Sequence, residues 1–122
     1  MSYLAAHATR RPGSDGRGVD ERLTLNLPQF DGGAHIRVFV EDTTFRTWRG
    51  RPPEPRIRFR VTDCSNEIAL WFELSTPDAR ENALFKIDTL LGAVQRFRHA
   101  LHAEAELYAQ REQHAAPRTG RG

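Results

Sequence analysis

The stretch RIRFRV, residues 56–61, decides the fold, because arginines and apolar residues alternate in it without a break. Successive side chains of a β-strand point to opposite faces of a sheet. As a strand, this stretch directs its three apolar side chains into a core and its three arginines onto the opposite, outer face. The sequence thus predicts a sheet with one apolar and one basic face.

Three more segments alternate in the same way and are separated by turn residues. Leu23, Leu25 and Leu27 alternate with polar residues until Pro28 stops the ladder. Glycines at 32–33 and the polar run 63–66 are typical of turns between neighbouring antiparallel strands. The four predicted strands cover residues 22–27, 35–41, 56–62 and 68–74.

A helix start follows the last strand. Ser75 and Thr76 offer hydroxyl caps, Pro77 needs no amide donor, and Asp78 lies near the positive end of the helix dipole. The helical pattern then continues from residue 77 to about residue 113, with an apolar stripe on one face. The stripe comprises Ala83, Leu84, Ile87, Leu90, Leu91, Val94, Phe97 and Leu101.

This stripe is wide enough to cover the inner face of a four-stranded sheet. A helix of this length runs about 55 Å while a six-residue strand spans about 20 Å, so its second half overhangs the sheet. The predicted fold class is α+β, a four-stranded antiparallel meander packed on one long C-terminal helix. We place a single domain at residues 22–113, between a flexible arm at 1–21 and a flexible tail at 114–122.

Composition excludes several classes of protein. The single cysteine, Cys64, allows no intrachain disulfide, and no apolar run is long enough for a signal peptide or a membrane span. We therefore expect a cytoplasmic protein without membrane contact. The net charge of +2 is unevenly distributed, since residues 35–62 are basic and residues 63–113 are acidic.

The predicted outer face combines guanidinium groups with aromatic rings. Guanidinium groups bind phosphates, and exposed rings stack on unpaired bases. The predicted nucleic-acid site comprises Arg37, Phe39, Arg56, Arg58, Arg60 and Trp71 on the sheet, and Trp48, Arg49 and Arg51 in the loop before the third strand. The alternative interpretation of the same residues is a solvated or partner-covered face, with Trp48 folded back over a core edge.

Catalytic and metal chemistry have little support in the sequence. His99, His102 and Glu106 share one helix face at a spacing that metal ligands use, but no motif places a further histidine or cysteine beside them. Asp63 and Glu67 flank a turn that has no nucleophile or phosphate cradle near it. We expect no metal, no cofactor, no small-molecule substrate and no enzymatic activity.

Two functions of different classes follow. The first is a non-enzymatic binder of single-stranded DNA or RNA that acts as a homodimer. The second is a protein-interaction or assembly subunit that self-associates through its long helix. The residues predicted for self-association are Phe97, Leu101, Ala105, Leu107 and Tyr108.

The order of four strands and one long helix resembles in outline the Whirly and Pur-alpha class of single-stranded-DNA binders. The resemblance covers residues 22 to about 110 and implies a dimer that pairs its helices and presents its sheets to nucleic acid. It is a resemblance of architecture that transfers no site residue, and the helix here is longer than in those families.

Overall fold

A computed structural model describes residues 17–30 and 32–119, with side chains described up to residue 115. Within them lie four strands and one helix: β1 (Val19–Thr24), β2 (His35–Val40), β3 (Ile57–Asp63), β4 (Asn66–Ala69) and α1 (Pro77–Thr119). The predicted α+β class is therefore confirmed. Most of the predicted arm and the end of the predicted tail, residues 1–16 and 120–122, lie outside the described residues.

The four strands form one antiparallel sheet in the order β1-β2-β3-β4, which confirms the predicted meander. Val38 of β2 pairs with Glu21 of β1 on one side and with Phe59 of β3 on the other. Because side chains alternate along each strand, this register separates an apolar face from a basic one. The apolar face carries Glu21, opposite Val38, and otherwise Val19, Leu23, Ile36, Val38, Val40, Ile57, Phe59, Val61 and Ile68.

Strand β1 begins three residues earlier than the sequence predicts and ends earlier too. Its bounds are set by pairing with β2, where Val19 lies opposite Val40. Residues 19–21, which the sequence assigns to the arm, thus belong to the sheet. Leu25 lies beyond the strand, but its N–H still donates to the Ala34 carbonyl at 2.9 Å. Cross-strand partners, which local alternation does not reveal, decide where this strand lies.

Strands β3 and β4 are joined by a two-residue turn at Cys64 and Ser65. Both residues have positive φ, 50° and 70°, as a type I′ turn requires. Strand β4 ends at Ala69 rather than at the predicted Leu74. One more ladder bond follows, because the Leu70 N–H donates to the Phe59 carbonyl at 3.0 Å. The chain therefore stays beside β3 for at least one residue past β4.

The helix begins where the sequence predicts. The Ala79 N–H donates to the Thr76 hydroxyl oxygen at 3.1 Å, so Thr76 is the N-cap and Pro77 is the first helical residue. Helix α1 has 43 residues and continues to Thr119, past the predicted end at residue 113. No helix breaker lies at residues 114–116, and Pro117 falls within the last turn of the helix.

The chain divides into two compact units, one ending at Arg80 and the other beginning at Glu81. Among the described residues, only Ala34 and Ala83 are buried apolar side chains, and no side chain is fully buried. The apolar residues of RIRFRV, predicted to lie in a core, are only half-buried. A single chain therefore leaves much of its apolar surface in contact with water.

Candidate nucleic-acid interface

The basic face of the sheet is built from rows of side chains that run across the strands. Arg22 of β1 lies opposite Arg37 of β2, which in turn lies opposite Arg60 of β3. We call these three residues the arginine row. Neighbours in such a row have Cβ atoms about 5 Å apart. The register thus places three guanidinium groups side by side on three adjacent strands.

A second row lies two residues along each strand, about 7 Å from the first. In it Phe39 of β2 lies opposite Arg58 of β3. Beyond β4 the Leu70 N–H still bonds to the Phe59 carbonyl, and the next residue, Trp71, lines one depression together with Phe39 and Arg58. Phe39, Arg58 and Trp71 form what we call the aromatic row, and Asp20 of β1, opposite Phe39, lies at its end.

The aromatic row borders a shallow depression of about 370 Å³. Trp71 is 83% exposed and Phe39 is half-buried. The depression brings together four of the predicted site residues. Its complete lining is Phe39, Pro55, Arg56, Ile57, Arg58, Trp71, Phe72 and Glu73.

Carboxylates neutralise part of the arginine row. Arg37 Nη2 lies 3.1 Å from Asp20 Oδ1, and Arg60 Nε lies 3.6 Å from Glu67 Oε2. The Arg37 Nε atom is buried and has no hydrogen-bond partner among the described residues. Arg22 and Arg58 are exposed, and neither forms an ion pair within the described part of the chain. With Glu73 beside Trp71, four arginines lie against three carboxylates, which leaves this face with a small excess of positive charge.

Arg56, predicted as a phosphate contact, is tied to Glu41. Its backbone N–H donates to Glu41 Oε1 at 2.9 Å, and its Nε lies 3.9 Å from the same oxygen. The Glu41 N–H donates in turn to the Arg56 carbonyl at 2.9 Å. Arg46 donates to both Glu41 carboxylate oxygens, at 3.2 and 3.3 Å. Glu41 therefore closes the base of loop 42–55 and offsets the charge of two arginines.

Loop 42–55 presents the remaining predicted site residues to solvent. Trp48 is 53% exposed, so it is not folded fully against a core edge. Arg49 and Arg51 are exposed and make no ion pair among the described residues. An open concavity of about 760 Å³ is lined by Arg46, Thr47, Trp48 and Arg49. The loop thus repeats the mixture of rings and guanidinium groups found on the sheet.

The second predicted site, on helix α1, is exposed as well. Successive residues of a helix are rotated by about 100°, which places four of the predicted residues on one side of α1: Phe97, Leu101, Ala105 and Tyr108. We call these four residues the helix stripe. Phe97 is 66% exposed and Tyr108 is 68% exposed. Leu107 is turned by about 100° from Tyr108, so this predicted self-association residue lies off the stripe.

Two residues outside the predicted sites are important to the geometry. Arg22 completes the arginine row, and Glu41 anchors the loop. Alternation in residues 22–27 marks Arg22 as outward-facing, but only the register shows which arginines it joins. No local pattern identifies Glu41, because its partner Arg56 lies 15 residues away.

Groups suited to metal binding are not assembled in the described part of the chain. No cluster of three or more histidine, cysteine or acidic residues able to hold a metal occurs there. Cys64 is exposed, and a hydrogen bond from its side chain to Asp63, together with the charge of that carboxylate, raises the pKa of its thiol. A raised pKa makes this thiol a poor nucleophile near neutral pH.

No helix within residues 17–30 or 32–119 has the length and apolar character needed to cross a membrane. Comparison with protein-family models, with curated proteins and with solved structures finds no match. The architectural resemblance to Whirly and Pur-alpha proteins therefore has no support from these comparisons.

Proposed function

We propose that this chain is a non-enzymatic binding module that takes single-stranded nucleic acid on the basic face of its sheet. The observation that carries the proposal is the register, which sets the arginine row beside the aromatic row on adjacent strands. Scattered arginines would be expected on any solvated face. Of the two adjoining rows, the arginine row can bind the phosphates of a nucleic acid and the aromatic row can stack on its bases.

Single strands fit this face better than duplexes do. The rings of Trp71 and Phe39 border an open depression, and a ring can stack only on a base that is not already paired and stacked. Each stacked base contributes about 1 to 3 kcal/mol irrespective of sequence. The proposed binding is therefore tolerant of sequence.

The carboxylates on this face do not prevent phosphate binding. The Arg60–Glu67 pair is half-exposed on both sides, and exposed pairs contribute only about 0 to 1 kcal/mol. A phosphate can displace Glu67 at small cost. Arg22 and Arg58 have no such competitor among the described residues.

A pair of matched double variants tests the proposal. Arg58→Gln combined with Trp71→Ala removes one charge and one ring from the aromatic row. Arg98→Gln combined with Phe85→Ala removes the same groups from exposed positions of α1. Fluorescence anisotropy of labelled oligo-dT should show an affinity loss of tenfold or more for the first variant and about wild-type affinity for the second. Equal affinities for the two variants would remove the sheet face from the proposal.

Self-association through α1 is a second candidate function, and the exposure of the helix stripe favours it. Four side chains on one side of the helix lie open, and exposed apolar patches of this kind mark interaction surfaces. A second copy of the chain is the simplest partner, since twofold symmetry pairs the same stripe with itself.

We expect Leu101→Glu to lower the oligomeric state, because a charge would have to be buried between the paired stripes. Ala103→Glu, on the opposite side of α1, adds the same charge outside the stripe and is the control. Sedimentation equilibrium measures both variants against the wild type. If Leu101→Glu sediments like the wild type, the stripe is not the self-association surface.

A further inference from the structure

We infer that the bound strand crosses the sheet at right angles to the β-strands, with its phosphates along the arginine row and its bases over the aromatic row. This inference rests on the proposed function and adds to it a path and an orientation. Three parallel rows on the basic face carry it, because each row has a different chemistry.

The third row shows where the phosphates cannot lie. It runs across the sheet on the far side of the arginine row and contains Thr24, His35, Thr62 and Glu67. Its only carboxylate, Glu67, is half-exposed, and the row contains no arginine and no aromatic carbocycle. The arginine row is therefore the middle of three, with a polar row on one side and the aromatic row on the other.

This order fixes the orientation of a nucleotide on the face. Phosphates on the arginine row can reach three guanidinium groups, whereas the aromatic row offers only Arg58. Bases on the polar row would find only the small imidazole of His35, while bases on the aromatic row find the larger rings of Phe39 and Trp71. The row spacing of about 7 Å is close to the size of one nucleotide unit from phosphate to base.

The path also sets the size of the site. Across β4 the arginine row continues into Ala69, opposite Arg60, so the row of guanidinium groups ends there. Three arginines contact at most three phosphates. For single strands each neutralised phosphate contributes about 0.7 to the slope of log affinity against log salt, which gives a slope of about −2 for this row.

Two probes and two single variants test the inference on the full chain. One probe is oligo-dT, and the other is an abasic oligomer with the same number of phosphates and no bases. Arg22→Gln should weaken the binding of both probes by the same factor, about threefold to tenfold, and lower the salt slope by about 0.7. Trp71→Ala should weaken oligo-dT binding about tenfold and leave abasic binding unchanged. Circular dichroism verifies that each variant folds.

The outcomes separate this inference from the proposed function. If the wild type binds neither probe at low salt, the proposed function itself fails. If the wild type binds oligo-dT but Arg22→Gln changes neither affinity nor slope, the assignment of phosphates to the arginine row is overturned while nucleic-acid binding stands. If Trp71→Ala weakens the binding of both probes equally, the assignment of bases to the aromatic row is overturned, while nucleic-acid binding again stands.

Discussion

At the scale of single residues, the pair Asp63 and Cys64 gives a chemical prediction. The Asp63 carboxylate raises the pKa of the Cys64 thiol, mainly through a side-chain hydrogen bond and further through repulsion of the thiolate. Asp63→Asn removes the charge, so the thiol pKa falls and more thiolate is present at a given pH. We expect alkylation by iodoacetamide at pH 8 to be about threefold faster or more. An unchanged rate would show that Asp63 does not control this thiol.

The outward-facing residues could be predicted from the alternation of arginines and apolar residues along each strand. Arg37, Arg58 and Arg60 face outward because the facing of a side chain along a strand is a local property. Their assembly into rows could not be predicted, since a slip of one residue in the register would separate them. Arg56 was identified as a phosphate contact for the same local reason, but its neighbour Glu41 belongs to a loop closure that no local pattern reveals.

At the scale of elements, the cap of α1 gives a prediction of stability. The Thr76 hydroxyl accepts the Ala79 N–H, and that amide has no other partner within the first turn. Thr76→Ala should lower the free energy of unfolding by about 1 kcal/mol, while Thr76→Ser retains the hydroxyl and should remain near the wild type. Urea denaturation followed by circular dichroism, at one fixed protein concentration, measures both. Equal losses in the two variants would mean that the hydroxyl is not the stabilising group.

The elements themselves were largely predictable from the sequence. Hydrophobic period and turn residues identify four strands and one helix, and the Thr76-Pro77 start is local chemistry. The ends were less predictable. Strand β1 is shifted toward the N-terminus because its backbone pairs with β2 from Val19, opposite Val40, to Thr24, opposite His35.

At the scale of the whole molecule, the described residues bury few apolar side chains. Large apolar side chains remain exposed in the sheet unit, for example Ile68 at 64%, and in the helix unit, for example Leu101 at 57%. The sequence shows which residues are apolar, but it does not predict how far each apolar side chain is buried.

The central claim is that the sheet face binds single strands, and one titration of the wild-type chain tests it most directly. Labelled oligo-dT and a duplex of the same length are each titrated at low and at physiological salt, while tryptophan fluorescence is recorded. We expect tighter binding of the single strand, weakening of that binding as salt rises, and quenching of tryptophan emission as bases stack on exposed Trp71. Absence of binding at low salt, or a preference for the duplex, would contradict the claim.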